Sequence, residues 1–133
     1  MHDKITPLQP HIRQASAAAE YYTDERCHIK ELANFEVDPA VSIAQARVCA
    51  GVTTRWHRLD GITERYVILS GLGRVEVGDL PPQQAGPGDV VMIPAGCRQR
   101  IACVSATELI FLAICTPRFR PDAYEDIDPD PRP

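Results

Sequence analysis

The glycines of this chain are confined to its middle. All eight lie between Gly51 and Gly96, among short runs rich in β-branched residues. Because glycine and proline mark tight turns, this segment predicts short strands joined by turns. Many short strands with little helix between them favour an antiparallel all-β sandwich or barrel, whose mouth can hold a small ligand.

Eight segments have the residue pattern of strands, since β-branched residues pack well on a pleated surface. Turns are expected where glycine and proline cluster, at 70–73 (SGLG) and 85–89 (AGPGD). The predicted strands are 28–33, 41–49, 52–58, 64–70, 73–77, 89–93, 98–103 and 107–115.

The two ends of the chain differ from the middle. Near the start, apolar residues at helical spacing predict a short helix against the barrel: Ile12, Ala15, Ala19 and Tyr22. The acidic end holds five of the twelve prolines and predicts an arm anchored by Phe119 and Tyr124. The expected division is therefore an N-terminal arm at 1–27, a barrel at 28–118 and a Pro-rich tail at 119–133.

Length and composition restrict the class of protein. The 133 residues suit one domain, and the net charge of -4 argues against a broad nucleic-acid-binding surface. The cysteines form no CxxC pair and are odd in number, which favours reduced thiols: Cys27, Cys49, Cys97, Cys103 and Cys115. The first residues contain no apolar core of a signal peptide, and no apolar stretch approaches the roughly 20 residues of a membrane span. We expect a cytoplasmic protein with neither nucleic-acid nor membrane partners.

The stretch GVTTRWHRLDGITERYVILSG spaces its polar residues in a specific way. Five residues separate Gly51 from His57, and His57 is followed two positions later by Leu59. Four residues then precede Glu64, and six more precede Gly71.

A second pattern follows at Gly88. Five residues separate this glycine from Pro94, and Gly96 comes two positions after Pro94. Two residues then precede Gln99, and three more precede Cys103.

The two patterns resemble the paired motifs of the cupins, small double-stranded β-helix (jelly-roll) barrels, over roughly 28–118. The family has a second histidine where this chain has Leu59, and a histidine and an asparagine where it has Gln99 and Cys103. In cupins the motif histidines and glutamate bind one metal ion inside the barrel. The resemblance therefore implies a metal site at His57, Glu64 and Gln99, holding one divalent ion such as Mn, Fe, Zn or Ni. An alkyl side chain at Leu59 cannot coordinate, and the Gln99 amide is a weaker ligand than imidazole.

Alternation along strands indicates which side chains share the site. If His57 and Glu64 point inward, Leu59 and Tyr66 do too. Glu64 is then a metal ligand or a catalytic base, and Tyr66 stands beside it as a proton carrier or substrate-binding group. Gln99 points inward as a further ligand or substrate-binding group.

Two arginines are candidates for binding an anionic substrate at the mouth, Arg47 and Arg55. Both are expected to be surface charges that are long enough to reach it. Cys103 and Cys115 are expected to be small buried hydrophobic residues.

Two functions remain open from the sequence. The first is a metal-binding cupin that acts on a small polar molecule, a sugar or a carboxylate, as an oxygenase or isomerase. The second is a metal-free cupin module that binds a small molecule without catalysis. With either function, we expect a homodimer.

Overall fold

The computed structural model describes residues 7–131, whose regular secondary structure is almost entirely antiparallel strands. The first six residues of the predicted N-terminal arm and the last two of the tail lie outside the described residues. The strands form one sheet of six and one of five.

The six-stranded sheet has the order β1-β2-β3-β10-β5-β8. Its neighbouring strands are antiparallel, and β10 lies between β3 and β5. The bounds are β1 Glu20–Tyr22, β2 His28–Ala33, β3 Ser42–Val48, β5 Thr63–Ser70, β8 Val90–Ile93 and β10 Leu109–Thr116.

The five-stranded sheet has the order β11-β4-β9-β6-β7. Its bounds are β4 His57–Leu59, β6 Gly73–Val77, β7 Gln83–Ala85, β9 Gln99–Cys103 and β11 Tyr124–Asp126. The prediction of one strand over 52–58 is wrong in extent, because Thr53 makes an isolated bridge to Ala102 and regular pairing begins at His57.

Alternating side chains of the two sheets form the core. Every second residue of β9, of β10 and of β5 as far as Ile68 is buried, as strands with one face on a core require. The larger apolar cluster is centred on aliphatic residues such as Ile68, Ile101 and Leu109, and a smaller one contains Leu59 and Cys115. The predicted all-β double-stranded β-helix is confirmed. The sheets are not closed into a continuous barrel, since their orders end at edge strands.

The predicted N-terminal helix is wrong. Only Ala15–Ala17 forms a 3₁₀ turn, and it buries no residue. Ile12 is exposed, so the apolar spacing has no surface to pack against. Glu20–Tyr22 instead pairs with β2, where backbone hydrogen bonds of the sheet outweigh weak helical spacing.

The C-terminal segment also joins a sheet. Residues Tyr124–Asp126 pair with His57–Leu59, which places β11 at the edge beside β4. Ala123 is buried, and Phe119 and Tyr124 pack against the smaller apolar cluster. Both sheets thus receive a strand from outside the predicted barrel range of 28–118.

Two glycines with the same backbone conformation allow a matched test of the turn before β6. Gly71 and Gly51 both have φ of +79°, but a Cβ at Gly71 would lie 2.5 Å from the carbonyl oxygen of Glu108, whereas a Cβ at Gly51 meets nothing within 4 Å. Gly51→Ala is expected to cost about 1–2 kcal/mol of unfolding free energy, for the left-handed backbone alone. Gly71→Ala is expected to cost roughly 1–3 kcal/mol more, because backbone must move. Urea denaturation measures both variants, and equal costs would contradict the role of the contact with Glu108.

Candidate functional site

Four predicted site residues meet between the two sheets. His57 on β4 and Gln99 on β9 are paired positions of the five-stranded sheet. Glu64 and Tyr66 alternate along β5 of the six-stranded sheet. All four are buried, with exposed fractions of 4%, 1%, 8% and 4% in that order, and so is Leu59. The expected sharing of faces is therefore present in the structure.

The orientation of His57 is fixed through one ring nitrogen. Its Nδ1 lies 2.8 Å from the carbonyl oxygen of Arg55. Because a carbonyl can only accept, Nδ1 carries the proton and neutral His57 keeps its lone pair on Nε2. The same Nδ1 is 3.5 Å from a carboxylate oxygen of Glu25, and the ring stacks on Tyr124 at 5.1 Å. The imidazole is thus held in one tautomer between the sheet and the C-terminal strand.

Glu64 is a buried carboxyl group with unused hydrogen-bonding capacity. Burial raises its pKa, and the nearby carboxylate of Glu25 raises it further, whereas His57 and the Gln99 amide lower it. The thiol of Cys115 lies 3.7 Å from Oε2. The other oxygen, Oε1, is buried without a hydrogen-bond partner. Such an atom is costly unless a ligand or water pairs with it.

Tyr66 holds the amide of Gln99. The Tyr66 hydroxyl donates to Oε1 of Gln99, so the amide nitrogen Nε2 faces away from Tyr66 and is itself buried without a partner. Burial, reinforced by the nearby carboxylate of Glu64, raises the pKa of Tyr66 well above its ordinary value. The phenol therefore stays protonated and acts as a hydrogen-bond donor at neutral pH.

A cavity of about 370 Å³ opens beside Glu64. One wall comes from β3 and β10, and the opposite side from the β1–β2 turn and the segment before β11. Its lining includes Glu25, Cys115 and Tyr124, which the sequence did not single out as site residues. Glu25 is placed by the turn at Thr23–Cys27, where Arg26 has φ of 71°. No motif spacing marks that turn, so only the folded chain brings Glu25 to His57.

The structure does not bring the two predicted substrate-binding arginines into this cavity. Arg47 forms ion pairs with Glu20 and Glu108. The expectation that Arg55 is a surface charge is wrong, because its side chain is 1% exposed and is paired with Asp126 at 2.7 Å. Cys103 and Cys115 are buried as expected.

The donors fit the implied metal ion only in part. His57 Nε2 and Glu64 Oε1 are two suitable ligand atoms, but the Gln99 oxygen already accepts from Tyr66, and Leu59 packs with Ile62 in the smaller apolar cluster. Within residues 7–131, no group of three or more His, Cys, Asp or Glu side chains could hold a metal ion. Coordination by all three expected residues stays a prediction.

Comparisons with solved structures show that the fold of this chain is the cupin-type double-stranded β-helix. Pac13 from Streptomyces, described as a unique nucleoside dehydratase, superposes with a TM-score of 0.75 at 13% identity, covering 90% of this chain and 92% of its own. His-to-Gln and Tyr-to-Phe variants of Pac13 are known with uridine. The chain matches no protein-family model and no curated protein sequence.

Two further structures share the fold. KdgF from Halomonas sp. has a TM-score of 0.73 at 14% identity, covering 86% of this chain and 98% of its own. A predicted oxalate decarboxylase from Thermotoga maritima has a TM-score of 0.69 at 22% identity, covering 80% and 98%. At these identities the similarity establishes the fold alone.

All five cysteines are free thiols. Among the described residues, no helix is both long and apolar enough to cross a membrane.

Proposed function

We propose that this cupin binds a small hydroxylated molecule between Glu64 and Gln99 and transfers protons on it, as an isomerase or lyase would. One observation supports this most directly: Oε1 of Glu64 and Nε2 of Gln99 are both buried and neither makes a hydrogen bond of normal geometry, although the amide is close enough to lower the pKa of the carboxyl. One accepts and the other donates, and a hydroxyl group can pair with both.

The proposed roles follow from the environment of each group. Glu64 is the general acid or base, because burial brings its pKa closer to neutrality than that of an exposed carboxyl. Gln99 binds the substrate, and Tyr66 is a positioning residue that orients the amide. His57, with Nδ1 fixed on Arg55, presents Nε2 as an acceptor. A dehydratase among structures of the same fold is compatible with proton-transfer chemistry.

Removing the Gln99 amide tests the binding part of this proposal. A thermal-shift screen of polyols, sugars and nucleosides, run with a chelator present, is expected to give stabilising ligands. Gln99→Leu is expected to weaken a hit by roughly tenfold, about the effect of losing a hydrogen bond in a buried site. Calorimetry measures the affinities, and Gln84→Leu on an exposed stretch of β7 is the matched control. A hit indifferent to Gln99→Leu contradicts the assignment.

A divalent metal at the same place is the second candidate. The favouring observation is the tautomer of His57, since a metal-binding imidazole normally donates its other N–H to a neighbouring acceptor. His57 and Glu64 would hold the ion, with Gln99 as the third ligand if its amide turned. A bound ion of this kind would polarise a substrate oxygen and support the oxygenase or isomerase chemistry implied by the cupin resemblance.

Metal analysis separates the two candidates. If the site binds metal, protein purified without chelator is expected to contain close to one equivalent, and His57→Ala is expected to lose it. Gln99→His supplies the imidazole usual in cupins. This variant is expected to raise the affinity for Zn²⁺ or Ni²⁺ by roughly tenfold or more. Metal content that is absent in wild type and in Gln99→His would exclude this candidate.

We also propose that the protein is a homodimer. The edge strand β8 supports this, because Val90 and Met92 share an outward face and are 54% and 58% exposed. Exposed apolar groups beside an unpaired strand edge are typical of association surfaces. Light scattering measures the mass directly, and a monomeric mass at micromolar concentration would contradict the proposal.

A further inference from the structure

The charge on the cavity wall is of one sign. Among the described residues that line the cavity there is no Lys, Arg or His. Four carboxyl groups line it, from the β1–β2 turn, β2 and β5: Asp24, Glu25, Glu31 and Glu64. Clefts lined by one sign of charge concentrate ligands of the opposite sign.

Three arginines outside the described cavity lining are engaged by other groups. Arg118 donates to the Oδ1 atom of Asn34, a lining residue. Arg47 and Arg55 are paired with other carboxylates.

His57 does not line the cavity, and its Nδ1 is 3.5 Å from Glu25, so when protonated it offsets the charge of that carboxylate. Glu31 accepts a hydrogen bond from the Tyr21 hydroxyl and has no ion pair within residues 7–131. The described lining therefore has acidic side chains and no basic ones.

The same wall presents aromatic surface. Tyr21, Phe119 and Tyr124 line the cavity together with the carboxyl groups. Aromatic faces attract cations through the ring quadrupole, and carboxylates add direct charge pairing. This combination suits an ammonium group and disfavours phosphate or carboxylate ligands.

A second and independent observation indicates that the cavity is built for a ligand. Glu64 is only 8% exposed, lines the cavity, and has Oε1 without a hydrogen-bond partner. The carboxylates raise the pKa values of neighbouring groups. Burial raises the pKa of Glu64, and the charge of Glu25 raises it further. Burial also raises the pKa of Tyr21, and the charge of Glu31 raises it further. A cationic group in the cavity would relieve this repulsion.

We propose that the ligand of this cavity is a small organic cation, a hydroxylated amine, whose ammonium group pairs with Glu31 and Glu25 and whose hydroxyl lies at Glu64, the residue of the hydroxyl site that lines the cavity. The inference rests on the proposed function for the hydroxyl and adds the charge of the substrate. It replaces the sugar or carboxylate expected from the sequence with an amino alcohol or amino sugar.

Two series of probes matched in shape test the charge. One is glucosamine, glucose and glucuronate; the other is tyramine, tyrosol and 4-hydroxyphenylacetate. Binding is measured at pH 6.5 by protein-observed NMR titration. In each series that binds, the ammonium member is expected to bind at least roughly fivefold more tightly than the neutral one. The anionic member is expected to bind weakest, and added salt is expected to narrow the differences.

A carboxylate at the rim allows the ammonium contact to be removed separately. Glu31→Gln is expected to weaken the ammonium probe several-fold and to leave the neutral probe unchanged. Asp79→Asn, at a fully exposed carboxylate outside the cavity lining, makes the same charge change and is expected to alter neither.

The outcomes distinguish the two proposals. A flat or reversed order within the series that bind, or no binding in either series, overturns the inference of a cationic ligand. If the neutral probes bind the wild-type protein and bind more weakly to Gln99→Leu, the proposed function stands without the cationic ligand. If binding occurs but is indifferent to Gln99, the hydroxyl site is wrong even where the charge order holds.

Discussion

Glu64→Gln is expected to make the protein more stable at pH 8 and to abolish its binding of hydroxylated ligands. The stability gain arises because a buried carboxylate is costly, and Oε1 has no hydrogen-bond partner to offset that cost. An amide of the same shape carries no charge. The free energy of unfolding at pH 8 is expected to rise by about 1–3 kcal/mol, the range for a buried, unsatisfied polar group.

The sign of the pH dependence follows from the raised pKa. A carboxyl group with a raised pKa in the folded protein binds more protons there than in the unfolded chain. Its stabilising contribution is present below the ordinary pKa of 4.5 and is lost as pH rises through the folded value. The advantage of Glu64→Gln should therefore be large at pH 8 and small at pH 4.5. Thermal denaturation at both pH values measures it.

An exposed glutamate, Glu125, is the control, because its pKa is lowered and not raised. The guanidinium of Arg58 lowers the pKa of Glu125, which is exposed. Glu125→Gln is expected to change the melting temperature slightly, with a small loss at pH 8. A Glu64→Gln variant that is less stable than wild type at pH 8 would contradict the unpaired carboxylate. A gain in stability with loss of binding is the pattern of a residue retained for function.

The second large effect concerns the C-terminal strand, which Arg55 fastens to β4. The guanidinium pairs with Asp126 and donates to the carbonyl oxygens of Asp130 and Pro131. Arg55→Met would remove the guanidinium that pairs with the Asp126 carboxylate, itself 8% exposed. Removing one partner of a buried pair is strongly destabilising, and a fall in melting temperature of roughly 10 °C or more is expected.

Arg55→Met is also expected to affect the functional site. Because Tyr124 stacks on His57 and belongs to the strand that Arg55 fastens, loosening β11 is expected to expose the tail to proteolysis and to weaken ligand binding. Limited proteolysis followed by mass spectrometry locates the cleavage.

A neighbouring ion pair is the control for Arg55. Arg58 and Glu125 join the same two strands, but their side chains are 46% and 55% exposed. Arg58→Met is expected to have little effect, as for most surface pairs. Arg55→Met with Asp126→Leu should recover most of the stability, because two apolar groups replace two buried charges. Equal effects of Arg55→Met and Arg58→Met would contradict the proposed fastening.

The spacing of the motifs predicted the central strands and the inward face of the site. Alternation along a strand is a local property, so His57 with Leu59 and Glu64 with Tyr66 could be assigned to one side without coordinates. Glycines and prolines marked the turns for the same local reason. The helix expected from Ile12 to Tyr22 failed because spacing shows which residues could share a face and not whether anything covers that face.

The sequence by itself determined an all-β double-stranded β-helix with a histidine, a glutamate and a glutamine facing inward. Only the tertiary structure decided which charged and aromatic side chains meet at the site. The turn carrying Glu25 and the strand carrying Tyr124 are distant in sequence from β4 and reach it through sheet pairing and packing. Arg55 is a buried residue that holds the tail in place and does not line the cavity, because its partner Asp126 lies on a strand 71 residues away. Such long-range contacts depend on which surfaces meet, and that information is absent from local periodicity.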